Sequence, residues 1–257
     1  MWKRAVWTFA LGAGLLAAAP AWAQENTSIS GNVALTSDYV FRGLSQTGEN
    51  PAVQGGFDAT HGQFYAGAWA SNVAFEELGA GSGIELDLYG GWRPQLGPVA
   101  LDFGVIGCFY PGVTDIQAGA AGEGELDYVE GYAKASITPV EGLTLGAAVY
   151  YSPEFTGETG EAYYLEANAA YAFSDRLSVS GAAGYQTIDD VSGVFPGSFS
   201  DEYATWNGGV SYAVHGFTLD LRYIGADVEA SDPLITQAFT TEARADDRVV
   251  FSIKRAL

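Results

Sequence analysis

Thirteen charged side chains obey one spacing rule. Asp38, Arg42, Asp58, Glu85, Asp87, Asp102, Glu130, Lys134, Glu166, Asp220, Arg222, Arg248 and Lys254 each fall on the polar parity of a segment whose other parity is apolar. Eight carboxylates and five cations on the inner face of one sheet would line an aqueous passage. They would bias it by charge, as rings of side chains do in channels. The same set, paired off, would instead brace and fill a narrow interior, and the spacing leaves both outcomes open. Residues four apart on a strand stand about 13 Å apart. Asp38 and Arg42 therefore need partners on other strands rather than each other.

Other reactive chemistry is sparse. Catalysis needs a nucleophile beside a base, or a metal. The two histidines, His61 and His215, fall at short turns with no Ser or Asp partner at strand spacing. No P-loop, HExxH or CxxC pattern occurs. The glycine-rich run from Gly79 to Gly83 reads as a flexible loop, because no helix follows to hold a phosphate. Cys108 is the sole cysteine and reads as a small inward side chain of the wall. No catalytic residue, metal site or cofactor is expected.

The elements that position the charges are strands. From Ile29 to Arg42, apolar Ile29, Val33, Leu35, Tyr39 and Phe41 alternate with polar Ser30, Asn32, Thr36, Asp38 and Arg42. That period of two predicts one long strand with an apolar and a polar face. It is expected to close a barrel against residues 248–257, with Tyr39 and Phe41 at the outer lipid interface. Asp38 and Arg42 would then face the lumen near its external mouth. The alternation recurs to give twelve predicted strands. In the third, residues 64–73, Tyr65, Trp69 and Val73 are assigned to the apolar face.

The connections alternate in length. Five have 2, 6, 4, 3 and 2 residues; the other six have 9, 10, 14, 9, 14 and 22. Short turns on one side and long loops on the other mark an up-and-down barrel of the outer membrane. A soluble sandwich has no reason to lengthen every second loop. A mid-depth Arg or Lys facing lipid costs about 2–4 kcal/mol, which accounts for the exclusion of charge from the apolar parity. The predicted fold class is all-β: a transmembrane up-and-down antiparallel β-barrel of twelve strands. Its turns would be periplasmic and its long acidic loops extracellular.

The chain opens with Lys3 and Arg4, an apolar run from Ala5 to Ala19, and Ala21-Trp22-Ala23. This order predicts a secretory signal peptide over residues 1–23, with the barrel domain over 24–257. The run is short for a membrane helix and is interrupted by Thr8, Gly12 and Gly14. Loss of Lys3 and Arg4 takes the net charge from −20 to −22. So acidic a chain is unsuited to nucleic acid, which needs cations for its phosphates. The six long connections hold seventeen acids and one base, Arg244. Such loops would attract cations and bind divalent ions together with lipopolysaccharide, or simply stay solvated by self-repulsion.

Several segments resemble the TorF family of putative porins. They are Asn32-Val-Ala-Leu-Thr-Ser-Asp-Tyr-Val-Phe-Arg-Gly-Leu-Ser-Gln46, Pro51-Ala-Val-Gln-Gly-Gly-Phe-Asp58, Phe64-Tyr-Ala-Gly-Ala-Trp-Ala-Ser-Asn-Val73, Ile84-Glu-Leu-Asp-Leu-Tyr-Gly-Gly-Trp92 and Asp127-Tyr-Val-Glu130. The likeness spans most of the chain after residue 23 and is strongest over residues 31–92. It implies a bacterial outer-membrane barrel that acts as a pore, with no substrate specified. Two positions depart from the pattern: Cys108 stands where an aromatic or small residue is usual, and the chain ends in Leu257 rather than Phe. The expectation is a monomeric barrel of the bacterial cell outer membrane, in contact with lipid and lipopolysaccharide. Small polar, cation-preferring solutes would pass through it by diffusion. The alternative is a structural or binding barrel with an occluded lumen. A barrel enzyme of lipid metabolism would need a Ser/His pair on the lipid face, which the sequence does not offer.

Overall fold

Alternating side chains put twelve strands into one antiparallel wall. They are β1 (Thr27–Thr36), β2 (Ala52–His61), β3 (Phe64–Asn72), β4 (Ile84–Trp92), β5 (Val99–Phe109), β6 (Tyr128–Val140), β7 (Leu143–Ser152), β8 (Ala162–Ala172), β9 (Leu177–Ile188), β10 (Glu202–Val214), β11 (Phe217–Ala226) and β12 (Arg248–Ala256). The computed structural model describes residues 27–74, 83–112, 116–118, 122–124, 126–189, 201–228 and 245–257, with 116–118 and 122–124 as backbone only. The predicted signal peptide lies outside the described residues. Each strand pairs with its sequence neighbours, and β1 also pairs with β12, with Thr36 opposite Ser252 and Asn32 opposite Ala256. The ring of twelve is therefore closed and leaves none of these strands with a free edge.

Short and long connections alternate as expected. The two-residue turn His215-Gly216 holds φ of 49° and 81°, the left-handed pair that a tight hairpin of matching twist requires. One boundary moves: β6 continues through Pro139 to Val140, with an irregularity between Ile137 and Val140. The exterior is apolar, with Ile29, Phe57, Leu88, Val105, Leu165 and Val249 all exposed.

The face of β3 is the reverse of the expected one. Tyr65, Trp69 and Val73 are buried inside the barrel, and Phe64 is exposed. Its neighbours decide this. Ala68 stands opposite Phe57 and Leu88, both outward, and Trp69 stands opposite the inward Asp87. The strand's own sequence offers apolar side chains on both parities, so the ladder sets the face.

Inside, four tyrosines lie flat on the wall. Tyr89 of β4 covers Gly67 of β3 and donates to Asp58 of β2 at 2.7 Å. Tyr65 covers Gly91 and donates to Asp102 at 2.6 Å. Tyr132 covers Gly104 and bonds the Tyr65 hydroxyl, and Tyr164 covers Gly184 and reaches Thr205 Oγ1 at 2.9 Å. A Cβ at any of these four glycines would collide with the ring above it. Tyr89, Tyr65 and Tyr164 thus staple their own strands to others two places away, and Tyr132 of β6 reaches β3, three places away.

Candidate functional site

The site begins where β1 stops. Thr36 Oγ1 donates to the Asp38 carbonyl at 2.7 Å, and the Ser37 amide makes the last backbone bond to β12, at Phe251 O. The chain then leaves the wall. Val40–Phe41 pairs with Leu44–Ser45 in a miniature hairpin whose turn is Arg42-Gly43, at φ of 45° and 85°. A Cβ at Gly43 would come within 2.6 Å of the Ala226 Cβ, so only glycine seats this tip against β11. Residues 37–51 form a segment inserted into the long-loop end of the lumen. Thr47, Ser45, Tyr39 and Asp38 in it are 1, 2, 3 and 5% exposed.

The expected continuous strand from Ile29 to Arg42 is therefore corrected. Tyr39 and Phe41 do not reach a lipid interface: Tyr39 is buried inside and Phe41 packs against the same interior cluster. The reason is local chemistry that a period of two does not register. The Asp38 carboxylate collects Ser45 Oγ and Thr47 Oγ1, both at 2.7 Å, and Arg248 Nη1 at 2.9 Å. Thr47 Oγ1 in turn accepts the Tyr39 amide. These bonds fold the chain back on itself instead of along the wall.

Two side chains anchor the segment on distant walls. Tyr39 donates its hydroxyl to Glu85 Oε1 of β4 at 3.1 Å and meets the Trp69 ring of β3 edge-on at 5.4 Å. Arg42 donates to Glu130 Oε2 of β6 at 2.7 Å and to Gln186 Oε1 of β9 at 2.9 Å. Its guanidinium also lies 4.4 Å from the Tyr164 ring centroid and 5.1 Å from that of Tyr150. A side chain rooted beside β1 thus touches β6, β7, β8 and β9 on the far side of the ring. Burial disfavours the charge of Arg42, but Glu130 outweighs it and raises the pKa above the ordinary arginine value. Burial, reinforced by Glu85 and Asp87, pushes the Tyr39 phenol well up, so it stays a neutral donor.

All thirteen candidate charges lie inward or on the inserted segment, but they form two levels rather than one ring. The outer level gathers Asp38 with Arg248, Arg42 with Glu130, and Glu85 beside Asp87. As anticipated, Asp38 and Arg42 pair with other strands and not with each other. The inner level holds Asp58 under Tyr89, and Asp102 between Tyr65 and Arg93 Nε at 3.1 Å. It also holds Glu166 accepting from Asn168 at 2.9 Å, and Asp220 paired with Arg222 at 3.2 Å. Lys134 stands opposite Asp102 in register with its ammonium 4.3 Å from the Tyr132 centroid, and Lys254 is half-buried on β12. Arg93, Gln186, Ser45 and Thr47 were missed as site residues. Arg93 reads as part of a turn, and the other three carry no charge to mark them. His61 and His215 lie at the turn end, where His61 Nδ1 meets Thr27 Oγ1 at 3.1 Å.

Two solved structures share the fold. The chain aligns with a KdgM porin at TM-score 0.50 and 8% identity, over 89% of this chain and 98% of that one. It aligns with the COG4313 outer membrane channel from Pseudomonas putida F1 at TM-score 0.52 and 12% identity, over 95% and 100%. At such identities the likeness concerns architecture, a closed antiparallel barrel of the outer-membrane channel type. No curated protein matches the chain in sequence. Residues 20–257 match the family described as "Bacterial protein of unknown function (Gcw_chp)", and the chain belongs to that family.

Proposed function

We propose that this chain is a porin-like channel of the bacterial outer membrane. The inserted segment 37–51 restricts flow at the external mouth, and small polar, cation-preferring solutes pass by diffusion. One observation carries the reading: a closed wall with an apolar exterior surrounds a charged interior, and a chain segment crosses that interior at the long-loop end. The preference for cations rests on the outer level. There Asp38, Glu85, Asp87 and Glu130 outnumber Arg42 and Arg248, and Glu49 adds a further carboxylate 3.7 Å from Arg248. The resemblance of residues 32–46 to TorF-type porins supports the same reading, and those residues include most of the inserted segment. The acidic long connections suit contact with divalent ions and lipopolysaccharide, and a single closed ring suits a monomer.

Planar-bilayer recording of refolded protein tests this. Conductance steps are expected, with a reversal potential in a salt gradient of the sign for cation flow. A chloride-selective pore would refute the charge argument. The burial of Thr47, Ser45 and Gln186, none above 2% exposed, favours a second reading in which the resting barrel is occluded. Under it the native protein is silent, and a variant with residues 40–47 replaced by a Gly-Ser linker conducts. Silence of both removes the channel reading altogether.

A further inference from the structure

We propose that Glu85, Asp87 and Cys108 form a divalent-cation site in the wall beneath the inserted segment, suited to a borderline-soft ion such as zinc or cobalt. One donor atom from each residue lies within 4.8 Å of the other two. Strand geometry brings them together. Glu85 and Asp87 are two apart on β4 and so share a face, and Cys108 stands directly opposite Asp87 on β5. All three are buried, at 3, 1 and 4% exposure.

A second observation points to a ligand. Glu85 Oε2 and Asp87 Oδ1 are each buried with no hydrogen-bond partner. The other Glu85 oxygen is already used by Tyr39. The buried carboxylates Asp38 and Glu130 of the outer level have their cations, Arg248 and Arg42. Among the described residues no ion pair links Glu85 or Asp87 to a base. Buried charges are paired or hold a metal, and among the described residues no side chain supplies the cation here.

The donor set selects the class of ion. Two carboxylate oxygens and one thiolate sulfur mix hard and soft ligands, which disfavours magnesium and calcium and suits zinc or cobalt. Bond lengths of about 2.0–2.3 Å put tetrahedral ligands roughly 3.5 Å apart, a spacing that small side-chain rotations reach from the present one. Cys108 gives up its thiol proton to solvent on binding, and the carboxylates coordinate as anions. Tyr39, bonded to Glu85, ties the inserted segment to this point of the wall. An ion held there would clamp segment to wall. The site stands on wall geometry alone and does not depend on the channel reading.

Titration of the refolded full chain with cobalt(II) in detergent tests it. One equivalent is expected to bind with a thiolate-to-cobalt charge-transfer band, displaced by zinc(II). Because Cys108 is the only cysteine, the band in the unsubstituted protein has a single possible source. C108S is expected to abolish the band, and E85Q or D87N to weaken binding at least about tenfold. Absence of the band from the unsubstituted barrel overturns the proposal and leaves the carboxyl pair sharing a proton. So does unchanged affinity in E85Q and D87N.

Discussion

The outer and inner levels of the lumen use the same residue types and treat charge in opposite ways. Arg42 and Glu130 meet at 2.7 Å with side chains 5 and 3% exposed. Arg93 and Asp102 meet at 3.1 Å, but Arg93 is 38% exposed. The outer level is filled, because a whole chain segment packs there. In the inner level the tyrosine rings lie on glycines, and Glu166, Asp220, Arg222, Lys134 and Lys254 are only half-buried. An inward charge therefore has no fixed meaning in a barrel. What stands across from it decides whether it locks a segment or borders water.

The largest expected difference between the levels is in access. In a C108S background, Thr47→Cys in the outer level and Ser180→Cys in the inner level, where Ser180 Oγ accepts from Arg222 Nη2 at 2.8 Å, should react very differently with a small charged thiol reagent. If exposing the outer level means breaking one buried pair, at about 3 kcal/mol, the Thr47→Cys thiol reacts roughly a hundredfold more slowly. Equal rates at the two positions would mean that the segment does not stay inserted. Next in size is Arg42→Ala. It leaves Glu130 buried without its cation, which costs about 3–5 kcal/mol. Urea unfolding of the refolded barrel should register the loss, and conductance fluctuations should increase as the segment loosens. A change no larger than that of a surface pair would place Arg42 in water.

The wall was legible in the sequence and the inserted segment was not. Period-two alternation and the alternating connection lengths give twelve strands and closure, because a wall strand has only two faces and a charge shows which is inner. That logic fails in two places. In β3, Phe64 and the small residues on its parity compete with Tyr65 and Trp69 on the other, so only the register with β2 and β4 fixes the face. At residues 37–51, Asp38 and Arg42 keep the correct parity while the backbone has already left the wall. Inwardness was therefore readable and insertion was not. The cue that existed was chemical: an Asp followed by Ser45 and Thr47, with Gly43 between them, can satisfy its carboxylate locally. The Glu85–Asp87–Cys108 cluster was legible only as three inward residues, because their proximity depends on the β4–β5 register.

Gly184→Ala tests the joint between the levels. Its Cβ would fall on the Tyr164 hydroxyl, and that ring both bonds Thr205 and lies 4.4 Å under the Arg42 guanidinium. Overpacking of this kind costs about 1–3 kcal/mol. A displaced Tyr164 ring must shift against the Arg42 guanidinium beside it, so the substitution should destabilise the barrel and disturb the Arg42 contact together. In a double-mutant cycle with Arg42→Ala the two losses should fall short of additive, since residues in contact couple. Additive losses would separate the wall-lying rings from the segment above them.

The smallest effect belongs to Arg93→Ala, and it is the one that sharpens the contrast most. Arg93 is partly exposed although Asp102 is buried, the Asp102 carboxylate keeps its bond from Tyr65, and the Tyr65 ring loses the guanidinium that lies 3.7 Å from its centroid. With Arg93 itself exposed, solvent screens the pair and Asp102 keeps a donor, so the unfolding midpoint should move less than in Arg42→Ala. Its salt dependence is the more telling measurement. Charges that meet through water are screened over about 8–10 Å at moderate ionic strength. The small Arg93→Ala deficit should therefore vanish in high salt, while the Arg42→Ala deficit persists, because water and ions do not enter between Arg42 and Glu130. If both deficits fade alike with salt, the outer level is as wet as the inner one. The inserted segment would then be a constriction that water passes rather than a seal.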